Sequence, residues 1–435
     1  MLLRFKIKNF LSFCEETVFD MFPNTKREKF TSHIYANMEV PLLKQAAVYG
    51  ANGSGKSNFI KAMSFLREFV TRENFLESID VHDYFFQLTN KKLSVISLEI
   101  EFFHAGGYYI YGVEAGKKNV SEKLMISGLG KSEDKLLFER KGNKIKSPYL
   151  QNEDSAKQLL SMNPQSSLLF LNSRFPVLSN EDVKKVYAWF SKYLEIISIN
   201  SEIPALISLL YGNPELLRFA NKVFDCIGIG IKSMGISSVP FEEWAVGAKN
   251  ANELEQIVGM NRGQSDGTVS QLKNKRNILN VTIQNGLKTV QELLFDQLGQ
   301  SGYSKKMKIS AQSDGTVRLL TLVPALYFAM HERKVVLIDE IDNSIHPNLT
   351  FELIRFYADN ESNGQLIFTT HTTKLMNQQE LLRPDEIWLT EKSEGSTKMF
   401  SLNDFRLHNT LNIENGYLDG RYGAVPVIEP SMGDV

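Results

Sequence analysis

The sequence of 435 residues predicts an α/β fold that combines a mixed sheet, an antiparallel β-subdomain and a mainly helical insertion. An apolar run at 45–49 leads through a glycine-rich loop into a helical pattern, and a second apolar run, at 335–338, ends in two acidic residues. Between about 94 and 139, alternating segments are separated by glycine turns, as in antiparallel hairpins. A composition of 43% hydrophobic and 23% charged residues suits one or two large globular domains.

The chain divides into three predicted regions. The first contains the glycine-rich loop and the hairpins, and it opens with strands around 3–7 and 16–19. The second is mainly helical and includes a polar connection at 247–280, whereas the third returns to alternating strands and helices. The three regions are residues 1–150, 151–302 and 303–435. The helices predicted in the second region are 155–161, 180–193, 214–227 and 289–298.

The glycine-rich loop at 50–57 reads GANGSGKS and matches the P-loop pattern G-x-x-x-x-G-K-[ST] at every fixed position. Backbone N–H groups must curl around phosphate oxygens there, and Gly50, Gly53 and Gly55 remove the Cβ atoms that would obstruct them. Lys56 is predicted to reach the β- and γ-phosphates and Ser57 to ligate Mg²⁺, at the positive end of the following helix. A chance Gly/Ser loop would lack the flanking strand and helix patterns. The other predicted phosphate-binding residues are Asn52, Ser54 and Asn58.

Two further strands end in residues that suit phosphate chemistry. The apolar run at 335–338 predicts a strand that is buried on both faces, and Asp339 at its carboxyl end is placed to hold Mg²⁺ in the Walker B role. Glu340 is the candidate to polarise the attacking water. A bare apolar run before Asp-Glu is common, so this assignment depends on the P-loop. The strand predicted at 365–369 leads to His371, which is either a γ-phosphate sensor or an ordinary core or surface histidine.

A second anion-binding helix end is predicted at 313–316. This Ser-Asp-Gly-Thr sequence opens an apolar-periodic segment at 317–330 that reads as a helix with a polar N-terminus. The phrase QSDGTV occurs at 312–317 and also at 264–269, but only the later copy precedes such a helix and the Walker B strand. A polar loop is a sufficient explanation of the earlier copy. The residues assigned to the site are Ser313, Asp314, Gly315 and Thr316.

The order of these motifs resembles that of the ABC-type ATPases, including their SMC and RecF-like branch. The phrase FKIKNFLSF at 5–13 is similar to the first strand of that branch. Within it, the sequence resembles the bacterial abortive-infection ATPases of the AbiLi/RloA type, which include the ATPase of PARIS anti-phage systems. The residues that carry this resemblance are SDGT at 313–316, DEIDNSIHP at 339–347 and GYLDGRYGAVP at 416–426. It covers both ends of the chain and is weak across the helical middle.

The resemblance implies the ligands and the assembly. ATP and Mg²⁺ are the expected cofactors, and ATP is expected to lie between the P-loop of one subunit and residues 313–316 of another, which makes the protein a homo-oligomer. Gln87 is the implied Q-loop residue and a further metal ligand, or else a turn residue before the hairpins. Ser344 and His346 occupy the D-loop position. There His346 is either a contact across subunits or a helix cap.

Three classes of function follow from these motifs. The first, which the resemblance implies, is an ATPase that senses a phage product and controls a toxic effector. Because no nuclease constellation accompanies the ATPase motifs, the effector is expected to be a separate protein encoded nearby. The second is a RecF-like DNA-repair ATPase, and the third is a transporter subunit, which the insertion and the unusual signature disfavour. DNA binding depends on basic clusters that are otherwise solvated faces. Those clusters are Lys131, Lys135, Arg140, Lys141, Lys144 and Lys146, and Lys273, Lys275 and Arg276.

The remaining features concern location and the end of the sequence. A net charge of −1 gives no overall basic field, and two cysteines cannot form a disulfide framework. The apolar stretch at 319–330 is shorter than the roughly 20 residues that span a bilayer, and the N-terminus has no signal-peptide pattern. A cytoplasmic protein without a membrane contact is expected. The tail motif at 420–423 is either an interaction peptide or a turn that docks the C-terminus on the ATPase lobe.

Overall fold

The computed structural model describes residues 1–90, 93–117, 119–198, 206–247, 269–274, 277–284, 287–377, 379–407 and 411–425. The chain forms two compact units. The first consists of Met1–Ile199, Phe328–Asp342 and Tyr357–Val435, and the second of Asn200–Tyr327 and Asn343–Phe356. The predicted boundaries at 150 and 302 stay a prediction.

The strands and helices of the described residues are given in chain order. The strands are β1 (Leu2–Lys8), β2 (Thr17–Asp20), β3 (Ile34–Tyr35), β4 (Leu42–Leu43), β5 (Gln45–Gly50), β6 (Ile96–His104), β7 (Gly107–Ala115), β8 (Val120–Ile126), β9 (Lys135–Lys141), β10 (Lys144–Lys146), β11 (Leu194–Ile197), β12 (Ile231–Pro240), β13 (Val269–Asn274), β14 (Asn277–Gln284), β15 (Leu287–Leu298), β16 (Ser304–Lys308), β17 (Val335–Ile338), β18 (Gln365–Thr369), β19 (Ile387–Ser393) and β20 (Ser396–Ser401). The α-helices are α1 (Lys56–Thr71), α2 (Glu153–Met162), α3 (Leu168–Arg174), α4 (Glu181–Ala188), α5 (Leu206–Gly212), α6 (Pro214–Ile227), α7 (Phe241–Gly247), α8 (Asp314–His331), α9 (Pro347–Asp359) and α10 (Ile413–Leu418), and a π-helical turn spans Trp189–Tyr193.

The first unit contains a seven-stranded antiparallel sheet in the order β10-β9-β8-β7-β6-β1-β2. Strand β6 shows why the chain is extended here, because Ile96, Leu98, Ile100 and Phe102 are buried while the residues between them are only partly covered. The predicted hairpins and the two N-terminal strands are confirmed.

The first unit also contains a mixed six-stranded sheet in the order β11-β17-β18-β5-β19-β20. The first five strands run parallel, and β20 pairs antiparallel to β19. Every residue of β5, β17 and β18 is buried, as expected for parallel strands that are covered on both faces. Helix α1 buries the apolar stripe Phe59, Met63, Leu66 and Val70. The carboxyl ends of β17, β18 and β5 therefore share one edge.

The second unit packs helices with a sheet in the order β12-β15-β14-β13, to which β16 adds through β15. Helix α6 coincides with the predicted segment 214–227, because both of its ends carry clear signals. At the N-terminus, the Asn213 side chain accepts from the backbone N–H of Leu216 and Pro214 occupies the first turn. At the C-terminus, Gly228 ends the helix with a φ of 68°. No described helix has both the length and the apolar content needed to cross a membrane.

The prediction of a helix at 289–298 is wrong, because this stretch belongs to strand β15. Its apolar residues fit both periods, and pairing with β12 on one side and β14 on the other decides the outcome. The α/β class with mixed and antiparallel sheets is confirmed, but the insertion is helical only in part. Residues 248–268 lie outside the described residues, and with them most of the predicted connection at 247–280 and of the QSDGTV copy at 264–269.

Candidate functional site

A cavity of about 490 Å³ lies where the P-loop follows β5. Parallel α/β sheets bind ligands at this edge, outside the carboxyl ends of their strands. The structure brings together residues from the ends of three strands that are remote in sequence. We call this the P-loop cavity. Its lining residues are Asn52, Gly53, Gly55, Lys56, Ser57, Asn58, Glu340 and His371.

Glycine is required at three positions of the P-loop for different structural reasons. Gly50 has a φ of 153° and Gly55 a φ of 112°, and a Cβ at either position would collide with a threonine, Thr390 beside Gly50 and Thr397 beside Gly55. Gly53 has a φ of 75° with no atom within 4 Å of where its Cβ would lie, so the backbone conformation alone requires glycine there.

A layer of hydroxyl groups supports the P-loop from behind. Ser54 Oγ lies 2.7 Å from Thr390 Oγ1, which donates to the carbonyl oxygen of Tyr49 at 3.0 Å. Thr397 Oγ1 lies 2.7 Å from both Ser12 Oγ and the carbonyl oxygen of Ser54. The Ser54 side chain, predicted to bind the nucleotide, therefore lies in the wall of the site and not in the cavity. Sequence reasoning missed both threonines, because they join the loop through the strand order.

Lys56 is held inside its own loop. Its Nζ donates to the carbonyl oxygens of Gly50 at 2.9 Å and Ala51 at 3.2 Å. Burial lowers the pKa of the Lys56 ammonium below its usual value, and nearby carboxylates, that of Glu340 first, oppose this effect. The cation is therefore already aimed at the concave side of the loop.

Ser57 bonds directly to Asp339, and Thr369 joins Asp339 to Glu340. Ser57 Oγ donates to Asp339 Oδ1 at 3.1 Å, and Thr369 Oγ1 donates to the same oxygen at 2.7 Å. Thr369 Oγ1 also accepts from the Glu340 backbone N–H at 2.7 Å. Hydroxyl and carboxylate oxygens are the donors that Mg²⁺ prefers, so the pair of Ser57 and Asp339 fits the predicted metal.

Glu340 has a left-handed backbone, with a φ of 48°. This conformation is costly for a residue with a Cβ, and such strain clusters at functional sites. The strained residue is the one that the sequence assigns to the attacking water, and it lines the P-loop cavity.

The loop that carries His371 is tied to the Walker B turn by Asp342. One carboxylate oxygen, Oδ2, accepts from the His371 backbone N–H and from Thr372 Oγ1, each at 2.9 Å. Burial lowers the pKa of the His371 imidazole, the positive charge of Lys56 lowers it further, and carboxylates including Asp342 oppose the shift. Sequence reasoning did not assign Asp342 a role, although it lies in the DEIDNSIHP phrase.

A second cavity, of about 580 Å³, lies within the second unit and contains the predicted signature and D-loop residues. Ser313 Oγ accepts from the Thr316 backbone N–H at 3.2 Å and so caps α8. A Cβ on Gly315 would lie 2.9 Å from the carbonyl oxygen of Ser344, so glycine allows the two motifs to touch. We call this the signature cavity. The motif residues in its lining are Ser313, Gly315, Thr316, Ser344 and His346, and Asp314 is not among them.

His346 caps helix α9. Its Nδ1 accepts from the Asn348 backbone N–H at 3.2 Å, which supports the capping role of the two that the sequence left open. Gln87 does not line the P-loop cavity. Its side chain is exposed, and its Nε2 donates to the carbonyl oxygen of His82 at 2.6 Å, as expected of the alternative, a turn residue.

Arg140, a member of the first predicted basic cluster, is not exposed on the surface. Arg140 is fully buried and donates to Glu122 Oε1 at 2.7 Å and to the carbonyl oxygens of Ser166, Pro164 and Gly142, so its assignment to a DNA-contacting surface is wrong. Lys131 pairs with Glu39 at 2.9 Å. The Lys273 side chain and residues 275–276 lie outside the described part of the chain.

The P-loop and the two residues Glu340 and His371 thus follow three parallel strands that share one edge of a mixed sheet, the arrangement of a P-loop nucleotide-binding fold. The chain belongs to the family described as "AAA domain, putative AbiEii toxin, Type IV TA system", which matches residues 46–204 and 267–377. No curated protein matches the chain.

The chain is also similar to solved SMC heads. The SMC head domain from Thermotoga maritima is 12% identical with a TM-score of 0.43, over 92% of this chain and 98% of that chain. The SmcHead bound to the C-winged helix domain of ScpA is 14% identical with a TM-score of 0.43, over 92% and 97%. The Smc head domain with an extended coiled coil, bound to the C-terminal domain of ScpA derived from Pyrococcus furiosus, is 12% identical with a TM-score of 0.42, over 97% and 98%.

Proposed function

We propose that this protein binds ATP and Mg²⁺ in the P-loop cavity and hydrolyses ATP. The observation that carries the proposal is the hydrogen-bonded series from Ser57 through Asp339 and Thr369 to Glu340, at the wall of a cavity that also contains Lys56. Phosphoryl transfer needs mainly positioning and charge neutralisation, and these residues supply both.

Each residue has a proposed part in this reaction. Lys56 exchanges the carbonyl oxygens of Gly50 and Ala51 for β- and γ-phosphate oxygens. Ser57 and Asp339 hold Mg²⁺, which supplies positive charge against the charge that develops on the phosphates. Glu340 accepts a hydrogen bond from the attacking water and orients it. His371, which lines the same cavity, contacts the γ-phosphate.

The signature cavity is proposed to bind the γ-phosphate of ATP held by a second copy. Ser313 and Thr316 offer hydroxyl groups at the N-terminus of an 18-residue helix, where backbone N–H groups and the helix dipole favour anions. An ATP sandwich makes association depend on the γ-phosphate, so hydrolysis releases the subunits.

The proposed biological role is control of a toxic effector in anti-phage defence, as in the AbiLi/RloA and PARIS ATPases that the sequence resembles. The family description, which names a putative toxin of a toxin–antitoxin system, supports a part in a toxic response. Among the described residues, no group of three or more His, Cys, Asp or Glu side chains could hold a metal ion. The effector is therefore proposed to be a separately encoded protein and the trigger a phage product.

Phosphate release by the purified wild type in Mg²⁺ and ATP tests the enzymatic proposal, with Glu340→Gln as the matched variant. We expect turnover by the wild type and a fall of about 10²-fold or more in the variant, since a positioned acid–base group contributes that much. ATP binding should persist in the variant. Equal turnover by both proteins would contradict the role of Glu340, and no turnover by the wild type, alone or with duplex DNA, would contradict the function.

A further inference from the structure

The C-terminal segment, residues 411–425, is a compact folded element. Asn412 caps α10 by accepting from the Asn415 backbone N–H at 2.9 Å. The helix closes at Gly420, whose φ is 77°, and the Arg421 backbone N–H donates back to the carbonyl oxygen of Gly416 at 3.0 Å. Gly420 is thus explained by the turn, and Gly416 by the Tyr422 ring, whose Oη would lie 2.8 Å from a Cβ at that position.

The C-terminal segment packs against other residues of the first unit. Tyr417 Oη donates to the carbonyl oxygen of Ala424 at 3.1 Å, and the Ala424 backbone N–H donates to Glu391 Oε2 on β19 at 3.3 Å. The ring of Tyr422 lies 5.3 Å from that of Phe405. Of the two alternatives for the tail motif, the docked turn is the one observed.

The docked segment contacts the P-loop strand and the loop that carries His371. The ring of Tyr417 lies 6.2 Å from that of Tyr49, the residue before Gly50. Tyr49 Oη donates to the carbonyl oxygen of Thr372 at 3.3 Å, and Thr373 Oγ1 donates to Glu414 Oε1 on α10 at 2.7 Å. The His371 loop, residues 370–373, is therefore held by Asp342 on one side and by the C-terminal segment on the other.

We propose that the C-terminal segment positions His371, with Thr373 and Glu414 as the positioning residues. The inference rests on the proposed ATPase function, in which His371 contacts the γ-phosphate. Because the loop is bonded to both the Walker B turn and α10, a shift of His371 toward or away from the phosphate has to strain or release the Thr373–Glu414 hydrogen bond. The segment thereby connects the nucleotide state to an element whose residues Leu418, Asp419 and Arg421 face solvent.

Steady-state ATPase kinetics of paired variants test the proposal. Thr373→Val removes the hydroxyl while keeping the shape, and it should lower kcat about fivefold, the loss expected for one hydrogen bond. The KM for ATP should stay within about twofold, because the P-loop contacts are intact. Thr373→Ser keeps the hydroxyl and should restore kcat. Glu414→Ala should match Thr373→Val, and the double variant should be no slower than either one.

Asp419→Asn, an exposed change in the same segment, is the control and should have wild-type kinetics. Additive losses in the double variant, or wild-type kcat in Thr373→Val, would overturn the inference. Hydrolysis by the wild type with unchanged variants rejects the positioning role alone, whereas no hydrolysis by the wild type rejects the proposed function.

Hydrogen exchange provides a second test, which uses only the wild-type protein and so does not depend on the folding of a variant. A non-hydrolysable ATP analogue with Mg²⁺ should slow backbone exchange in 411–418 as well as in the P-loop. Slowed exchange in the P-loop with no change in 411–418 would overturn the proposal.

Discussion

Ser57 Oγ lies 3.1 Å from Asp339 Oδ1, although 282 positions separate the two residues in the sequence. The strand order explains the contact, since β18 lies between β5 and β17 and all three end at the same edge. Thr369, the last residue of β18, fills the gap by donating to Asp339. The proposed metal ligands are thus pre-positioned by the sheet.

Lys56→Ala should weaken ATP binding about 10- to 100-fold, the range for losing charge-assisted hydrogen bonds of about 1.5–3 kcal/mol. Isothermal titration calorimetry with ATP and Mg²⁺ measures the affinity. Lys61→Ala, an exposed change on the same helix, is the matched control and should bind as the wild type does. An unchanged affinity in Lys56→Ala would contradict the P-loop assignment.

Glu340→Gly should be more stable than Glu340→Ala by about 1 kcal/mol, because only glycine adopts the left-handed conformation at 340 without strain. This reverses the usual order of glycine and alanine. Urea denaturation of the two variants measures the difference, and both should lack turnover. If the alanine variant is the more stable, the backbone at 340 is not strained.

His371 should titrate below its usual pKa of 6.5, because burial and Lys56 both disfavour the imidazolium. With a depressed folded pKa, the associated stability is complete above about 6.5 and falls as the pH drops below it. NMR of ¹⁵N-labelled histidine measures the titration. Lys56→Met should raise the pKa part of the way, since burial remains. A wild-type value at or above 6.5 would contradict the lowering of the His371 pKa by partial desolvation and by Lys56.

Arg140→Met should destabilise the protein by about 3–5 kcal/mol, because the buried Glu122 carboxylate would lose its oppositely charged partner in the ion pair. Lys141→Met, the neighbouring exposed cation, should change the free energy of unfolding by no more than about 0.5 kcal/mol. Chemical denaturation of both variants gives the comparison. A small loss in Arg140→Met would mean that the ion pair adds nothing to the fold.

The sequence predicted those parts of the candidate site that consist of short phosphate-binding motifs, whose residues are close together in the chain. The P-loop, the acidic pair at 339–340 and His371 each follow an apolar strand at a recognisable spacing. Four residues that support the site were not identified from the sequence, because their contacts depend on which strands are neighbours. These residues are Thr369, Asp342, Thr390 and Thr397. Arg140 carried a usable signal, since it shares its strand face with buried Phe138.

The helix predicted at 289–298 was wrong for a different reason. The apolar residues of this segment fit a helix as well as a strand, and pairing with β12 on one side and β14 on the other selects the strand. Local sequence patterns predict helix ends well, as at Asn213 and Gly228. They predict secondary structure poorly where pairing with other strands outweighs the local preference.

The central claim, that each ATP is held by two copies, is tested most directly by mixing two inactive variants. Glu340→Gln keeps an intact signature cavity, and Ser313→Asp keeps an intact P-loop site and the α8 cap while adding a charge that repels the γ-phosphate. Neither should hydrolyse ATP alone. An equimolar mixture of dimers should regain up to about a quarter of wild-type turnover, since half the dimers are mixed and each has one complete site. A mixture as inactive as its components, or full activity in Ser313→Asp alone, would contradict the account.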